Sequence, residues 1–189
     1  GGADWIEAGT PLIKSVGMEA VRALRRRLPG ATIVADLKTL DTGWLETELA
    51  AQAGADVVCI SGLAHDNTIK DAVGCARKYG VRIMVDLLQV PDPMRRAKEL
   101  EALGVDYICA HTGIDVQRDR AEEIDRKVAL LAQLARSIKV PLAAAGGIRA
   151  DTAGKVVGAG VKIVIVGGAI TRAADPRKAT ELILKAMGK

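Results

Sequence analysis

The stretch KYGVRIMVDLL, residues 78–88, contains the unit from which the chain is built. Gly80 follows a polar segment of helical character, and a glycine just beyond the last turn is a common helix stop. The apolar run that comes next is typical of a strand buried on both faces. The strand carries a charged residue, Asp86, near its end. This stretch therefore predicts a helix end, a buried strand and a polar strand end.

The same helix stop recurs in QAGAD (52–56), ALGVD (102–106) and GAGVK (158–162). The predicted strands are residues 3–9, 32–38, 55–62, 81–88, 105–113, 140–147 and 161–168. The predicted helices are residues 15–28, 44–53, 66–79, 92–103, 120–137, 150–158 and 175–187. Strands that alternate with helices imply parallel pairing with right-handed crossovers. The pattern predicts an α/β fold of the (βα)8 TIM-barrel type, with a doubly wound sheet as the alternative.

A closed barrel of this type has eight strands, whereas the sequence supplies seven βα units. The chain begins at Gly1 and enters its first predicted strand almost at once. We therefore expect a single barrel domain over residues 1–189 that is truncated at its N-terminus by one strand and one helix. A seven-unit barrel and a strand supplied by a partner are the alternatives, since an uncovered sheet edge invites pairing.

The composition argues against several classes of protein. Hydrophobic residues make up 49% of the chain and charged residues 26%, which is an ordinary globular balance. The net charge of +4 is mild and no basic patch is interleaved with aromatic residues, so we expect no nucleic-acid partner. No apolar run has the length of a membrane span, so we expect no membrane association. Cys59, Cys75 and Cys109 show no CxxC spacing. Cys59 and Cys109 lie inside apolar strands and are expected to be core residues of a cytoplasmic protein.

Polar side chains collect at the C-terminal ends of the predicted strands, where parallel α/β folds carry their functional sites. These residues include Glu7, Asp36, Lys38, Asp86 and His111, and Asp41 follows just beyond the second strand. Because side chains alternate along a strand, Asp36 and Lys38 should point to the same side. The pattern predicts an active site, and a solvated strand end with a local ion pair is the alternative.

Glu7 and Asp36 come from neighbouring predicted strands. Two carboxylates side by side at the C-terminal ends of the strands suit a hard divalent cation such as Mg²⁺, so we predict a metal site there. Simple neutralisation by Lys38 is the alternative. His111 ends its strand at the same edge, and an imidazole can act as an acid or a base near neutral pH. We therefore predict that His111 transfers a proton.

Two glycine pairs follow the last two strands, in AAAGGI (143–148) and IVGGAI (165–170). Glycine lets backbone N–H groups approach an anion closely, and in barrels the loops after the last two strands commonly bind phosphate. The predicted phosphate-binding residues are Gly146, Gly147, Gly167 and Gly168. Arg149 and Arg172 lie nearby in the sequence and could add charge. A pair of tight turns is the alternative.

The stretch ADLKTLD, residues 35–41, contains the D-x-K-x-x-D pattern of the orotidine-monophosphate decarboxylase superfamily. Within that superfamily the chain resembles the 3-hexulose-6-phosphate synthases, through stretches that run over nearly its whole length. They are WIEAGTPLIKSVG (5–17), VADLKTLDTG (34–43), AGADVVCISGLAHDNTI (53–69), KYGVRIMVDLLQVPDP (78–93), RAKELEALGVDYICAHTGID (96–115) and VIVGGAITRAADP (164–176).

The resemblance implies a reversible aldol reaction of the ribulose monophosphate pathway. Formaldehyde and D-ribulose 5-phosphate would give D-arabino-hex-3-ulose 6-phosphate, with Mg²⁺ or Mn²⁺ as cofactor. A cation on Glu7 and Asp36 would stabilise an enediolate, beside the positive charge of Lys38. The resemblance also implies a homodimer in which Asp41 acts across the interface. Together with the residue pattern, it predicts Asp36, Lys38, Asp41, Asp86 and His111 as catalytic residues.

Two other functions stay open at this point. The related 3-keto-L-gulonate-6-phosphate decarboxylases share the motif, but they are expected to carry a Glu at the fourth strand end and an Arg three residues after the His. This chain has Asp86 and Ile114 there. A non-catalytic sugar-phosphate-binding or assembly module is the other alternative, supported by the absent first strand. The charged stretch 116–127 also replaces the family's small-residue loop, which predicts a change in a lid or in the interface.

Overall fold

The computed structural model describes residues 1–113 and 121–189, whose strands form one parallel sheet in chain order. The strands are β1 (Trp5–Ala8), β2 (Thr32–Thr39), β3 (Val57–Ser61), β4 (Arg82–Asp86), β5 (Tyr107–His111), β6 (Leu142–Ala145) and β7 (Ile163–Ile165). The helices are α1 (Thr10–Val16), α2 (Glu19–Arg27), α3 (Gly43–Gln52), α4 (Asp66–Tyr79), α5 (Pro93–Ala102), α6 (Ala121–Ser137), α7 (Ala150–Gly158), α8 (Gly168–Thr171) and α9 (Pro176–Ala186).

The order of the strands decides between the two predicted folds. A doubly wound sheet reverses its strand order, whereas here each strand pairs with the next from β1 to β7. The sheet curls into a half-barrel with the helices outside, which confirms the TIM-barrel-like prediction. Within the described part of the chain, β1 and β7 are the two sheet edges. All seven strands run in the same direction, so their C-terminal ends share one rim.

Two apolar layers follow from the alternation of side chains along the strands. On β3, Val58 and Ile60 pack into the core between the sheet and the helices. Val57 and Cys59 face the inside of the curl, where they join a smaller cluster with Met84. Cys59, Cys75 and Cys109 are buried free thiols, which confirms the prediction of Cys59 and Cys109 as core residues.

The first predicted helix, near residues 15–28, is only partly right. The structure has two shorter helices there, α1 and α2, separated at Gly17. Gly17 has a φ of 66°, in the left-handed region that ends a helix, and Pro11 lies in the first turn of α1. Thr10, the first residue of α1, lies close to the end of β2, where its hydroxyl donates to Asp36.

No helix in the two described ranges combines the length and the apolar character needed to cross a bilayer.

Candidate active site

The C-terminal ends of the strands surround one cavity of about 760 Å³. Nearly all of the residues predicted from the sequence line it. They are Glu7, Asp36, Lys38, Asp86, His111, Gly146, Gly147, Gly167 and Gly168. The side chains predicted for a metal, for proton transfer and for phosphate therefore share one space, as expected for parallel strands that end at the same rim.

Lys38 lies at the centre of the charged floor of this cavity. Its Nζ donates to Asp36 Oδ2 at 3.0 Å and to Asp86 Oδ2 at 2.8 Å. The backbone explains how the side chain gets there: Lys38 has a φ of 50°, and the pairing of β2 with β3 shifts register between Asp36 and Thr39. Asp36 and Lys38 do point to the same side, as predicted. The reason is the left-handed backbone at Lys38, and not the regular alternation of side chains along a strand.

The charge on Lys38 follows from these contacts. Burial alone would lower the pKa of Lys38, but attraction to Asp36 and Asp86 outweighs burial and raises the pKa overall. Lys38 is thus a fixed ammonium at neutral pH, suited to stabilise negative charge that develops on a substrate.

Asp86 links Lys38 to His111 from an almost fully buried position, with 2% of its surface exposed. Its Oδ2 lies 2.6 Å from His111 Nδ1, and its Oδ1 accepts from the backbone N–H of Leu88. Burial alone would raise the pKa of Asp86, but the contacts with His111 and Lys38 lower it below its ordinary value. The ionised carboxylate accepts a hydrogen bond from Nδ1–H, so Nε2 is the ring nitrogen left for a substrate.

Asp36 is held from the other side of the site. It is buried, and the Thr10 hydroxyl donates to its Oδ2 at 2.9 Å. Thr10 begins α1, so the helix that follows β1 reaches back to the end of β2. Asp36 is oriented by Thr10 and Lys38 together.

The ionisation of Glu7 is shifted by its position in the cavity. Its side chain is accessible to solvent, but the cavity walls reduce its hydration. That desolvation, with repulsion from Asp36 as the next cause, raises the pKa of Glu7 to about 7. Three carboxylates, Glu7, Asp36 and Asp86, face one ammonium, so the donor set fits a hard divalent cation.

A second combination of ligand atoms lies close by, since oxygens of Asp36 and Asp86 and the sulfur of Cys59 lie within 4.8 Å of one another. Burial raises the pKa of the Cys59 thiol well above its ordinary value, so the sulfur stays protonated and is a poor ligand. Lys38 already binds both carboxylates. The predicted pair, Glu7 and Asp36, stays a prediction that this geometry leaves untested.

The glycine pairs lie on the opposite side of the cavity. Gly146 and Gly147 have φ values of 89° and 68°, a conformation that favours glycine, and they precede the start of α7. Gly167 and Gly168 lead into the short helix α8. Arg149 and Arg172 also line this part of the cavity. The surroundings suit an anion, and phosphate binding stays a prediction.

A sequence profile described as the orotidine 5′-phosphate decarboxylase / HUMPS family matches residues 1–183 of the chain. The chain belongs to this family. It is 42% identical over 173 residues to the 3-hexulose-6-phosphate synthase of Bacillus subtilis, covering 91% of this chain and 80% of that one. It is 44% identical over 184 residues to the bifunctional enzyme Fae/Hps of Methanothrix thermoacetophila, covering 97% of this chain but 46% of that protein.

Solved structures of the orotidine 5′-phosphate decarboxylase / HUMPS family agree with the fold. A crystal structure of a 3-hexulose-6-phosphate synthase superposes with a TM-score of 0.91 at 37% sequence identity. The match covers 97% of this chain and 87% of the other.

One predicted catalytic residue of this family member, Asp41, lies away from the cavity. It is exposed, and its Oδ1 accepts from the backbone N–H of Thr42 at the start of α3. Within one chain, Asp41 is not brought together with the other predicted residues. Ile114, which bears on the choice between synthase and decarboxylase, lies outside the described residues.

Sequence reasoning missed Lys127 and Thr152, which also line the cavity. Lys127 was noticed only as part of the charged stretch 116–127. A signal was present, since Lys127 shares one face of α6 with Ile124, Leu131 and Leu134 at helical spacing, and the two leucines are fully buried. A lysine on the buried face of a helix indicates a specific partner for its ammonium.

Proposed function

We propose that this chain is a 3-hexulose-6-phosphate synthase, which condenses formaldehyde with D-ribulose 5-phosphate to give D-arabino-hex-3-ulose 6-phosphate. The observation that carries the proposal is the continuous contact from Lys38 through Asp86 to His111 at the cavity floor. It places a fixed cation beside a hydrogen-bonded imidazole, and an aldol reaction through an enediolate needs both. The names of the relatives supply the product, a 3-hexulose 6-phosphate, and the family resemblance implies formaldehyde and ribulose 5-phosphate as its substrates.

In the first step, His111 Nε2 takes the proton from C1 of the ketose. The electrons of the broken C–H bond form a C1–C2 double bond, and the C2 carbonyl oxygen gains negative charge. Asp86 stays ionised and holds Nδ1–H, which keeps the imidazole in the tautomer with a free Nε2. Lys38 offsets the negative charge of the enediolate.

In the second step, C1 attacks the carbon of formaldehyde. The electrons of the C1–C2 double bond form the new C–C bond, the C2 oxygen gives up its negative charge as the C2 carbonyl is restored, and the C=O electrons of formaldehyde move to its oxygen. The imidazolium of His111 returns its proton to that oxygen, which completes the hexulose phosphate and restores the neutral imidazole. Proton gain and loss balance, so the reaction needs no further reactant and is reversible.

We place Mg²⁺ or Mn²⁺ on Glu7 and Asp36, where the surplus of carboxylates supports a hard cation. When bound, the ion would supply Lewis-acid polarisation of the ketose oxygens. Glu7 must lose its proton to serve as a ligand, so its own ionisation sets the pH range of metal binding.

We further propose a homodimer in which Asp41 enters the partner's cavity. Beside Asp41, the surface of α3 and the preceding loop exposes large apolar side chains. They are Leu40, Trp44, Leu45 and Leu49, which are 40–59% exposed. An apolar patch of this kind marks an interaction surface, and a twofold interface would bury it in both copies.

Formaldehyde consumption by the purified chain, with ribulose 5-phosphate and Mg²⁺, tests the proposed reaction. We expect turnover that stops with EDTA and in K38A. Carbon dioxide release from 3-keto-L-gulonate 6-phosphate, without formaldehyde consumption, would instead support the decarboxylase. Binding of ribulose 5-phosphate with neither reaction would support a non-catalytic module.

A further inference from the structure

Lys127 joins two elements that frame the anion side of the cavity. It extends from α6 to the end of β6, where its Nζ donates to Ala145 O at 2.7 Å and to Gly146 O at 2.5 Å. Ala145 O also accepts from the backbone N–H of Thr112, at 3.2 Å. The ammonium is half-buried and lines the same cavity as Gly146 and Gly147. It therefore clamps the end of β6 where the first glycine pair begins.

The clamp determines the direction of two peptide groups. In a planar trans peptide, the C=O and the N–H point in opposite directions. Since Ala145 O and Gly146 O point at Lys127, the N–H groups of Gly146 and Gly147 point away from the ammonium. Outside the strand ladders, no backbone carbonyl of the described residues accepts from either N–H. Both amides are thus oriented donors without a backbone partner in that turn.

The glycine turn needs such a clamp because it is conformationally free. Gly146 and Gly147 both have positive φ, and glycine loses more conformational entropy on ordering than any other residue. Two hydrogen bonds from a charged donor hold the turn in one arrangement before a ligand arrives. Preorganisation of this kind increases affinity without any new contact to the ligand.

We propose that Lys127 is a positioning residue for the substrate phosphate, which it serves by orienting the N–H groups of Gly146 and Gly147. The proposal rests on the proposed function in so far as the ligand is a sugar phosphate. Lys127 is the last residue of the charged stretch 116–127, and this proposal gives that one charge a role inside the cavity.

The test compares K127M with the wild-type chain. Calorimetry gives the Kd of inorganic phosphate and of ribulose 5-phosphate, and steady-state kinetics gives kcat and both KM values. We expect K127M to raise the Kd of phosphate and the KM for ribulose 5-phosphate about tenfold, as expected for lost hydrogen bonds to a charged group. The kcat and the KM for formaldehyde should change less than about twofold, because the reacting atoms are not touched.

Two further variants separate positioning from a general effect. K155M removes an equal charge from an exposed lysine of α7, whose Nζ lies 3.4 Å from Asp125, and should bind phosphate as the wild type does. K127R keeps the charge and several donors, and should bind phosphate more tightly than K127M. Should K127M fail to fold, K127Q, which keeps a polar donor, is measured in its place and should bind phosphate more weakly than the wild type.

An unchanged phosphate Kd in the folded Lys127 variant would overturn the proposal. A fall in kcat together with equal rises in the KM values of both substrates would also overturn it. Phosphate binding does not depend on aldol chemistry, so the two proposals can fail separately. A wild-type chain that binds phosphate without consuming formaldehyde would contradict the synthase, while the Lys127 variants would still decide the positioning role. A wild-type chain that binds neither phosphate nor ribulose 5-phosphate would overturn both.

Discussion

Lys38 Nζ lies 2.8 Å from Asp86 Oδ2, although β2 and β4, which carry the two residues, are separated by β3. The contact crosses the inner face of the sheet above Cys59, whose thiol is buried. It exists because the backbone at Lys38 turns into the left-handed region and carries the side chain inward. Lys38 is therefore held by both Asp36 and Asp86, and a change at any of the three should affect the others.

We expect K38A to lower kcat by about a thousandfold, since it removes the fixed cation that stabilises the enediolate. The variant also leaves Asp36 and Asp86 facing each other without a counter-charge. Steady-state formaldehyde consumption measures the loss, and circular dichroism checks that the variant is folded. Activity within tenfold of the wild type in a folded variant would remove Lys38 from the mechanism.

Asp86→Asn should lower kcat about 100-fold, because an amide no longer fixes the Nδ1–H tautomer of His111. The KM for ribulose 5-phosphate should change little, since the proposed phosphate site lies at the other side of the cavity. Kinetics of the variant beside the wild type gives both values. A rise in KM with an unchanged kcat would show that Asp86 binds substrate rather than orienting His111.

The same substitution should change how stability depends on pH. The pKa of Asp86 in the folded chain lies below its ordinary value of 3.8, so its ionised form adds stability above about pH 3.8. That stability is lost as the pH falls through the folded-state pKa. Urea unfolding should therefore show a difference between wild type and D86N that is largest near neutral pH and shrinks in acid. A difference that does not vary with pH would contradict the lowered pKa.

Binding of Mg²⁺ should weaken below pH 7. The pKa of Glu7 is about 7, above its ordinary value, so Glu7 is mostly protonated in acid and must release a proton to bind metal. We expect the Mg²⁺ affinity to rise by roughly tenfold per pH unit below 7 and to level off above it. Calorimetry at several pH values tests this, with Glu7→Gln as the variant that should bind weakly at every pH. An affinity of the wild type that is independent of pH would exclude Glu7 as the titrating ligand.

Asp41 can be tested by mixing two inactive variants, D41N and K38A. If Asp41 acts across a dimer interface, each mixed dimer contains one site with both native residues. Subunit exchange at equal concentrations should then restore about a quarter of the wild-type activity. If Asp41 acted within its own chain, each site of a mixed dimer would carry one substitution and the mixture would stay inactive.

Much of the site was predictable because the sequence pattern shows where the strands end. Asp36, Asp86 and His111 each end a strand or lie close to its end, and parallel pairing requires such ends to share one rim. The glycine pairs were readable for the same reason, since each follows an apolar strand. The repeated unit of strand and helix predicted a parallel sheet, and only the observed strand order excluded the doubly wound alternative.

The parts that sequence reasoning missed depend on contacts between distant segments. The left-handed backbone at Lys38 is held by bonds to Asp36 and Asp86, and no local pattern predicts it. The break at Gly17 was overlooked because the helical pattern was extended across a glycine that ends α1. Lys127 reaches the end of β6 from another helix, so its role becomes visible only when α6 packs against the sheet.

Incorporation of ¹³C-formaldehyde shows directly whether the chain catalyses the proposed aldol reaction. The chain is incubated with labelled formaldehyde, ribulose 5-phosphate and Mg²⁺, and the products are followed by NMR. We expect the label to appear at C1 of a hex-3-ulose 6-phosphate, and we expect K38A and Asp86→Asn to reduce the rate of its incorporation. Absence of label from any sugar phosphate, in a folded chain that binds ribulose 5-phosphate, would rule out the synthase activity.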